Sequence, residues 1–195
     1  FALFGDASVR LAERWEFGAG VRYFEDNQST YDGLQSESDS FDSLDGRVFG
    51  SVKVADDVML YASVGSGFRS GGFNRGELPN YEPEQLISYE LGSKGLVANG
   101  VFGYEIAVFR SDYRDMLRRV LVFNPVTGTT DLVTGNIGET EVNGVEVGLT
   151  WHPLDRLALN ATGTYLDSEV TQVDAVGATN LAGDLVDYAP ELSYT

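Results

Sequence analysis

The segment Gly65-Ser-Gly67-Phe-Arg69-Ser-Gly71-Gly72 gathers the residue type that lets a main chain come close to a phosphate and offer it backbone N–H groups. A nucleotide cradle of that kind needs a helix behind it. Here the chain continues through Phe73-Asn74-Arg75 into a polar stretch with no helical period, so the segment reads as a strand leaving into a loop. Arg69, Asn74 and Arg75 are then two cations and a carboxamide at a strand exit. They could meet an anionic ligand such as a metal chelate, or pair with neighbouring acidic loops.

Other reactive constellations are sparse. Glu25, Asp26, Asp32, Glu37, Asp39, Asp42 and Asp45 fall in a stretch with no basic residue, and carboxylates suit hard cations. Their spacing does not match the twelve-residue calcium loop, so the stretch reads as a solvated acidic loop. His152, the single histidine, falls in a Trp-His-Pro sequence read as a turn, with no carboxylate pattern beside it. Cysteine is absent, which removes disulfides and thiolate metal sites. No catalytic group, metal site or cofactor is expected. The 13 basic and 30 acidic residues among 195 give a net charge of −17, which repels nucleic acid.

The elements that carry these residues show a period of two. Trp15, Phe17, Ala19, Val21 and Tyr23 alternate with Glu16, Gly18, Gly20 and Arg22. The same alternation places Leu60, Ala62 and Val64 against Tyr61, Ser63 and Gly65, and Ile87, Tyr89 and Leu91 against Ser88, Glu90, Gly92 and Lys94. It continues through 102–108, 145–151 and 157–162. One face of each strand is apolar. The other is polar or small, and carries Arg22, Glu90, Lys94, Glu105, Glu146 and Asn160.

Connections alternate in length. Short ones fall at Leu11–Arg14, Ala55–Asp57, Ala98–Gly100 and His152–Asp155; long polar ones at Asn27–Asp42, Arg69–Pro83, Arg119–Thr130 and Asp167–Ala189. An antiparallel meander with this order has all its short turns at one end, as outer-membrane barrels do. Asn99-Gly100 predicts a type I′ hairpin turn, whereas Asn143-Gly144 reads as a strand glycine or bulge. The one helix candidate, Tyr113–Val122, reads equally as an extended strand tip.

No run of about 18 apolar residues exists, so no transmembrane helix is expected. From Trp15 to Tyr23 a strand covers about 26 Å, or about 20 Å along a barrel axis at a tilt near 40°. That nearly spans the ~25 Å apolar band of an outer-membrane barrel. Trp15 and Trp151 both border short turns and predict one interfacial girdle. Tyr23, Phe24, Phe109, Tyr113 and Tyr165 cluster toward the long loops and predict the second.

Phe4-Gly-Asp6, Gly20-Val-Arg-Tyr23, Gly67-Phe-Arg69, Pro83-Glu84 with Tyr89-Glu-Leu-Gly92, Phe109-Arg-Ser-Asp-Tyr-Arg-Asp115, and Asn136-Ile-Gly138 with Asn143-Gly-Val-Glu146 follow one another in order. Together they resemble the barrel of TonB-dependent outer-membrane receptors. The resemblance implies a barrel of about 22 strands closed by a separate plug domain, with TonB relaying energy for import of a scarce ligand such as a siderophore.

The expected fold is therefore all-β, an antiparallel up-and-down meander of about eight or nine strands forming part of a transmembrane β-barrel. Residues 1–195 are expected to hold part of the barrel, without the plug or the terminal strand. The implied partners are outer-membrane lipid, the protein's own plug and remaining strands, TonB through that plug, and a small metal chelate. Location in the bacterial outer membrane follows. Arg69, Asn74 and Arg75 would stand at the external mouth, and Arg22, Glu90, Lys94, Glu105, Glu146 and Asn160 would face the lumen, pairing with one another or touching plug or solute. Two alternatives remain: a passive porin-like barrel, and a soluble β-rich binding module with its apolar faces turned inward.

Overall fold

A computed structural model describes residues 1–31, 33, 36–75, 78–124, 127–154, 156–173, 183 and 190–195. The strands are β1 (Ala2–Leu11), β2 (Trp15–Tyr31), β3 (Ser36–Ala55), β4 (Val58–Arg69), β5 (Glu84–Val97), β6 (Phe102–Arg114), β7 (Leu117–Asn124), β8 (Thr129–Asn136), β9 (Gly138–Leu154), β10 (Leu157–Val173) and β11 (Leu192–Tyr194). Nine of them form one sheet in the order β1-β2-β3-β4-β5-β6-β9-β10-β11, every neighbouring pair antiparallel. β7 and β8 make a separate hairpin inserted between β6 and β9. No helix occurs among the described residues, and Tyr113–Val122 is strand on either side of a corner.

The register carries the alternation across the sheet. Trp15 stands opposite Leu11 and Val52, Val52 opposite Leu60, Leu91 opposite Ala62 and Val108, and Val108 opposite Val145. The apolar positions therefore share one face, and that face is exposed: Trp15 and Trp151 each retain 47% of their accessible surface. Glu16, Gly18, Gly20, Ser63 and Glu90, on the opposite face, are half-buried. A soluble sandwich would reverse this pattern. The face needs an apolar solvent.

Charge marks where that solvent ends. On β6 the apolar-face positions run Phe102, Tyr104, Ile106, Val108 and then Arg110, Asp112; on β9 they run Trp151, Leu149, Val147, Val145 and then Asn143, Glu141. Arg110 bonds Asp112 at 2.7 Å and Glu141 at 2.6 Å just past the last valines. Tyr23, Tyr89 and Tyr165 share the apolar face near that boundary. Phe24, Phe109 and Tyr113, expected in the same girdle, stand on the polar face, because each is an odd number of residues from an outward neighbour. Phe109 instead covers Gly144, and Phe24 packs on Phe68 with ring centroids 6.2 Å apart.

Turns at the short-connection end are tight. Val101 N donates to Ala98 O at 3.2 Å across Asn99 and Gly100, whose φ of 57° and 82° have the sign a type I′ turn requires. β9 continues through His152 to Leu154, so His152 is a strand residue rather than part of a turn, its N–H given to Val101 O at 2.8 Å. Asp155 lies outside the described residues.

At the other end the strands outrun the sheet. Residues 25–31 and 36–45, expected to belong to an acidic loop, are a regular hairpin in which Glu25 faces Asp42 and Tyr31 faces Ser36. One face of this ribbon rests on loop 70–83 through the buried Phe41, but the half-buried positions beside it are polar, Asp26, Gln28, Glu37 and Ser43, so the sequence shows no apolar alternation and reads as a loop. Asp32 and most of 174–189 lie outside the described residues.

Candidate ligand mouth and polar wall

β4 and β5 are joined by loop 70–83; of the glycine-rich segment, Gly65 and Gly67 belong to β4 and only Gly71 and Gly72 lie in the loop. Gly71 and Gly72 are buried, and a Cβ on Gly71 would come within 2.5 Å of Tyr81 O and 2.7 Å of the Phe41 ring. The glycines are there for close packing against the β2–β3 hairpin, not for ligand approach. Gly72 and Tyr81 exchange two backbone hydrogen bonds of 3.0 Å and close the loop on itself. Asn80 Nδ2 reaches Glu37 Oε2 of the hairpin at 3.2 Å. Asp26, also on the hairpin, accepts from Gln28 Nε2 at 2.7 Å. Hydrogen bonds from Gln28 and from Ser70 hold its carboxyl below the usual range.

The other side of the loop is tied to hairpin β7–β8. Asn74 Nδ2 donates to Thr134 O at 2.7 Å and to Pro79 O at 2.6 Å, while Thr134 N donates to Asn74 Oδ1 at 3.0 Å. Asn136 repeats the arrangement: it accepts from Glu82 N at 2.8 Å and donates to Glu82 O at 2.9 Å and Asp115 O at 2.8 Å. Leu117 N donates to Glu84 Oε2 at 2.7 Å. The corner where the β7–β8 hairpin leaves the sheet has positive φ at Asp115 (53°) and Gly138 (106°), with Ile137 only 1% exposed inside it. Asn136 thus clamps this corner, Ile137 fills it, and Gly138 supplies its left-handed backbone.

Of the mouth residues expected from sequence, Arg69 and Arg75 present exposed side chains, and neither is in an ion pair among the described residues. Asn74 is half-buried, its amide engaged by backbone. Asn136 and Glu84 are not among the site residues expected from sequence. Their roles depend on which loop meets which hairpin, and no local pattern encodes that.

The polar face of β2–β5 forms an open trough of about 670 Å³ lined by residues including Glu16, Arg47, Tyr61, Ser63, Glu90 and Lys94. Cations lie over aromatic rings along this face: Lys94 Nζ is 5.8 Å from the Tyr61 centroid, Arg47 Cζ 5.3 Å from Phe49, and Arg22 Cζ 5.1 Å from Phe24. Register puts Lys94 directly opposite Glu105, Glu146 opposite Ala107, and Arg22 opposite Asp45. Asn160 accepts from Thr150 Oγ1 at 2.9 Å. Among the described residues no ion pair joins Arg22, Glu90, Lys94, Glu105 and Glu146 to one another; the pair on this face is Arg10 with Glu16, at 3.2 Å. No cluster of metal-ligating side chains occurs among the described residues.

An apolar exterior, a polar inner face and long elements gathered at one end describe a transmembrane barrel wall. The family model for the TonB dependent receptor-like β-barrel matches residues 1–195. The chain belongs to the TonB-dependent receptor β-barrel family.

Relatives agree with that membership. The pesticin receptor of Yersinia pestis is 28% identical over 183 residues, 87% of this chain and 26% of that protein. A probable TonB-dependent siderophore receptor, PiuA of Acinetobacter baumannii, is 24% identical over 181 residues, 85% of this chain and 23% of that protein. The crystal structure of the ferric yersiniabactin uptake receptor FyuA of Yersinia pestis superposes with a TM-score of 0.79 at 21% identity, over 99% of this chain and 30% of that one. This TonB-dependent receptor segment thus spans about a quarter of the length of the curated relatives it matches. Its family is one of outer-membrane transport receptors rather than enzymes.

Proposed function

We propose that this chain is part of the barrel wall and outer mouth of a receptor that captures a metal chelate of the siderophore type and imports it with energy relayed by TonB. The carrying observation is the sheet's inverted burial, apolar outside and polar within, with three long elements knitted together at one end. The names of the relatives, a pesticin receptor and a siderophore receptor, support the ligand class. In this reading the polar face, with Arg22, Glu90, Lys94, Glu105, Glu146 and Asn160, lines the lumen and meets a plug domain and passing solute. Arg69 and Arg75 offer charge to an anionic chelate at the mouth, while Asn74 holds the loop that carries Arg75. Chemistry at a covalent bond has no part in it.

The test uses the full-length gene product in an outer membrane. Cells supplied with a ferric catecholate or ferric citrate carrying radioactive iron should accumulate it only while TonB is functional. Accumulation that persists without TonB, together with leakage of small solutes from liposomes holding the protein, would establish a passive pore instead.

A further inference from the structure

We propose that the outer part of the polar face, between β1 and β4, is a subsite for a zwitterionic group of the α-amino carboxylate kind, with Arg22 taking its carboxylate and Asp45 its ammonium. This rests on the uptake reading above and adds a chemical class to it: the imported chelate carries a free amino acid end.

Register assembles the charges. Phe4, Arg22 and Asp45 stand abreast on β1, β2 and β3, and two residues nearer the short turns Asp6, Gly20 and Arg47 stand abreast on the same three strands. All six line an open pocket of about 350 Å³, with Gly67 and Phe68 of β4 on its far side. Gly20 lies between Asp6 and Arg47, and a Cβ built on it would meet nothing nearer than 3.5 Å. The glycine therefore leaves open floor between the charged side chains.

Opposite charges this close commonly pair, and these do not. Among the described residues none of Asp6, Arg22, Asp45 and Arg47 is in an ion pair. Each guanidinium lies instead by a ring two residues along its own strand, Arg22 Cζ 5.1 Å from the Phe24 centroid and Arg47 Cζ 5.3 Å from that of Phe49. Phe24 is on the long-loop side of Arg22 and Phe49 on the short-turn side of Arg47, so the rings draw the two cations apart. Asp45, half-buried, accepts from Ser43 Oγ at 3.0 Å and from Ser66 Oγ at 3.4 Å. Neutral donors hold that carboxylate in place without cancelling its charge.

The arrangement selects by sign. A carboxylate alone would meet Asp45 and Asp6 beside the arginines, and an ammonium alone would meet two guanidinium groups, so either carries like-charge repulsion. A group bearing both charges on one carbon finds a complement on each side. Side chains directly opposite across an antiparallel pair have Cβ atoms about 4.5–5.5 Å apart, which lets one amino acid end reach both Arg22 and Asp45. Guanidinium offers paired N–H donors to the carboxylate, and Asp45 offers acceptors to the ammonium.

The experiment compares two ferric chelates on the folded, heat-modifiable full-length receptor. One is the ferric complex of lysine acylated on its ε-amine by dihydroxybenzoate, which keeps a free α-amino carboxylate; the other is the same complex with that end N-acetylated and esterified. The free-ended chelate should bind at least about tenfold tighter, the scale of one charge-assisted contact. Arg22→Gln and Asp45→Asn should each lower its affinity to that of the blocked chelate and leave the blocked chelate unchanged. Arg22→Asp combined with Asp45→Arg should restore part of the preference, because the amino acid end can bind turned over. Equal affinities for the two chelates in the wild type overturn the subsite, as they would if a plug domain supplied the partners of these charges. Losses shared by both chelates in the single variants overturn it too, since they mark a role in holding the wall. Binding of neither chelate also overturns the subsite, and the uptake reading then falls only if the TonB-dependent accumulation described above is absent as well.

Discussion

The ring of Tyr61 on β4 lies over Gly92, directly opposite on β5, and occupies the space a side chain at that position would need. Phe49 stands over Gly18 and Phe109 over Gly144 in the same way on the polar face. Aromatic cover over an opposing glycine pins strand register without leaving a void.

Gly92→Ala should therefore displace the Tyr61 ring and lower barrel stability by about 1–3 kcal/mol, the range for overpacking a filled site. Gly148→Ala on the same face is the control, since its nearest neighbours are Glu105 atoms at 3.9 and 4.0 Å. Urea midpoints of the folded, heat-modifiable form compare the two. Equal midpoints would remove the register role of Tyr61.

The two faces should respond oppositely to charge. Leu91→Arg puts a guanidinium on the apolar face and should cost about 2–4 kcal/mol if that position lies near the bilayer midplane. Ser63→Arg enters the polar trough opposite Glu90 and should be tolerated. The yield of folded receptor in outer membranes and its urea midpoint measure both.

Asp26 makes the outer hairpin sensitive to acid. Its folded-state pKa is depressed by hydrogen bonds from Gln28 and Ser70, so its contribution is present above the ordinary carboxylate pKa and is lost as pH falls through the lower folded value. The protection of amides in residues 25–31 and 36–45, measured against their intrinsic exchange rate at each pH, should fall in that acid window. Asp26→Asn should remove that fall and leave protection at neutral pH slightly lower.

Much of the wall is legible in the sequence because a sheet solvated by lipid on one side writes its orientation residue by residue. Trp15 through Tyr23 or Ile87 through Leu91 need no tertiary information to be assigned a face. Asn99-Gly100 announces its turn, while Asn143-Gly144 continues a strand, since only the first pair interrupts the alternation. The mouth is not legible in this way. Residues 25–31 and 36–45 lack alternation because the face that packs on loop 70–83 is polar apart from Phe41. The glycines of loop 70–83 suggest flexibility, although Gly71 and Gly72 are buried under Phe41 and Tyr81. Asn136-Ile-Gly138 is recognisable only by resemblance, because its clamp joins residues 54 positions apart in the chain. Local periodicity carries no information at that range.

The central claim is that the apolar face of this sheet meets lipid while the polar face meets water. Nitroxides placed singly at Glu105, Ile106, Glu146 and Val147 in the full-length receptor, reconstituted in bilayers, test it through collision with oxygen and with a water-soluble nickel complex. Ile106 and Val147 should favour oxygen, and Glu105 and Glu146 should favour nickel. The same preference at all four positions, or the reverse assignment, would contradict the account.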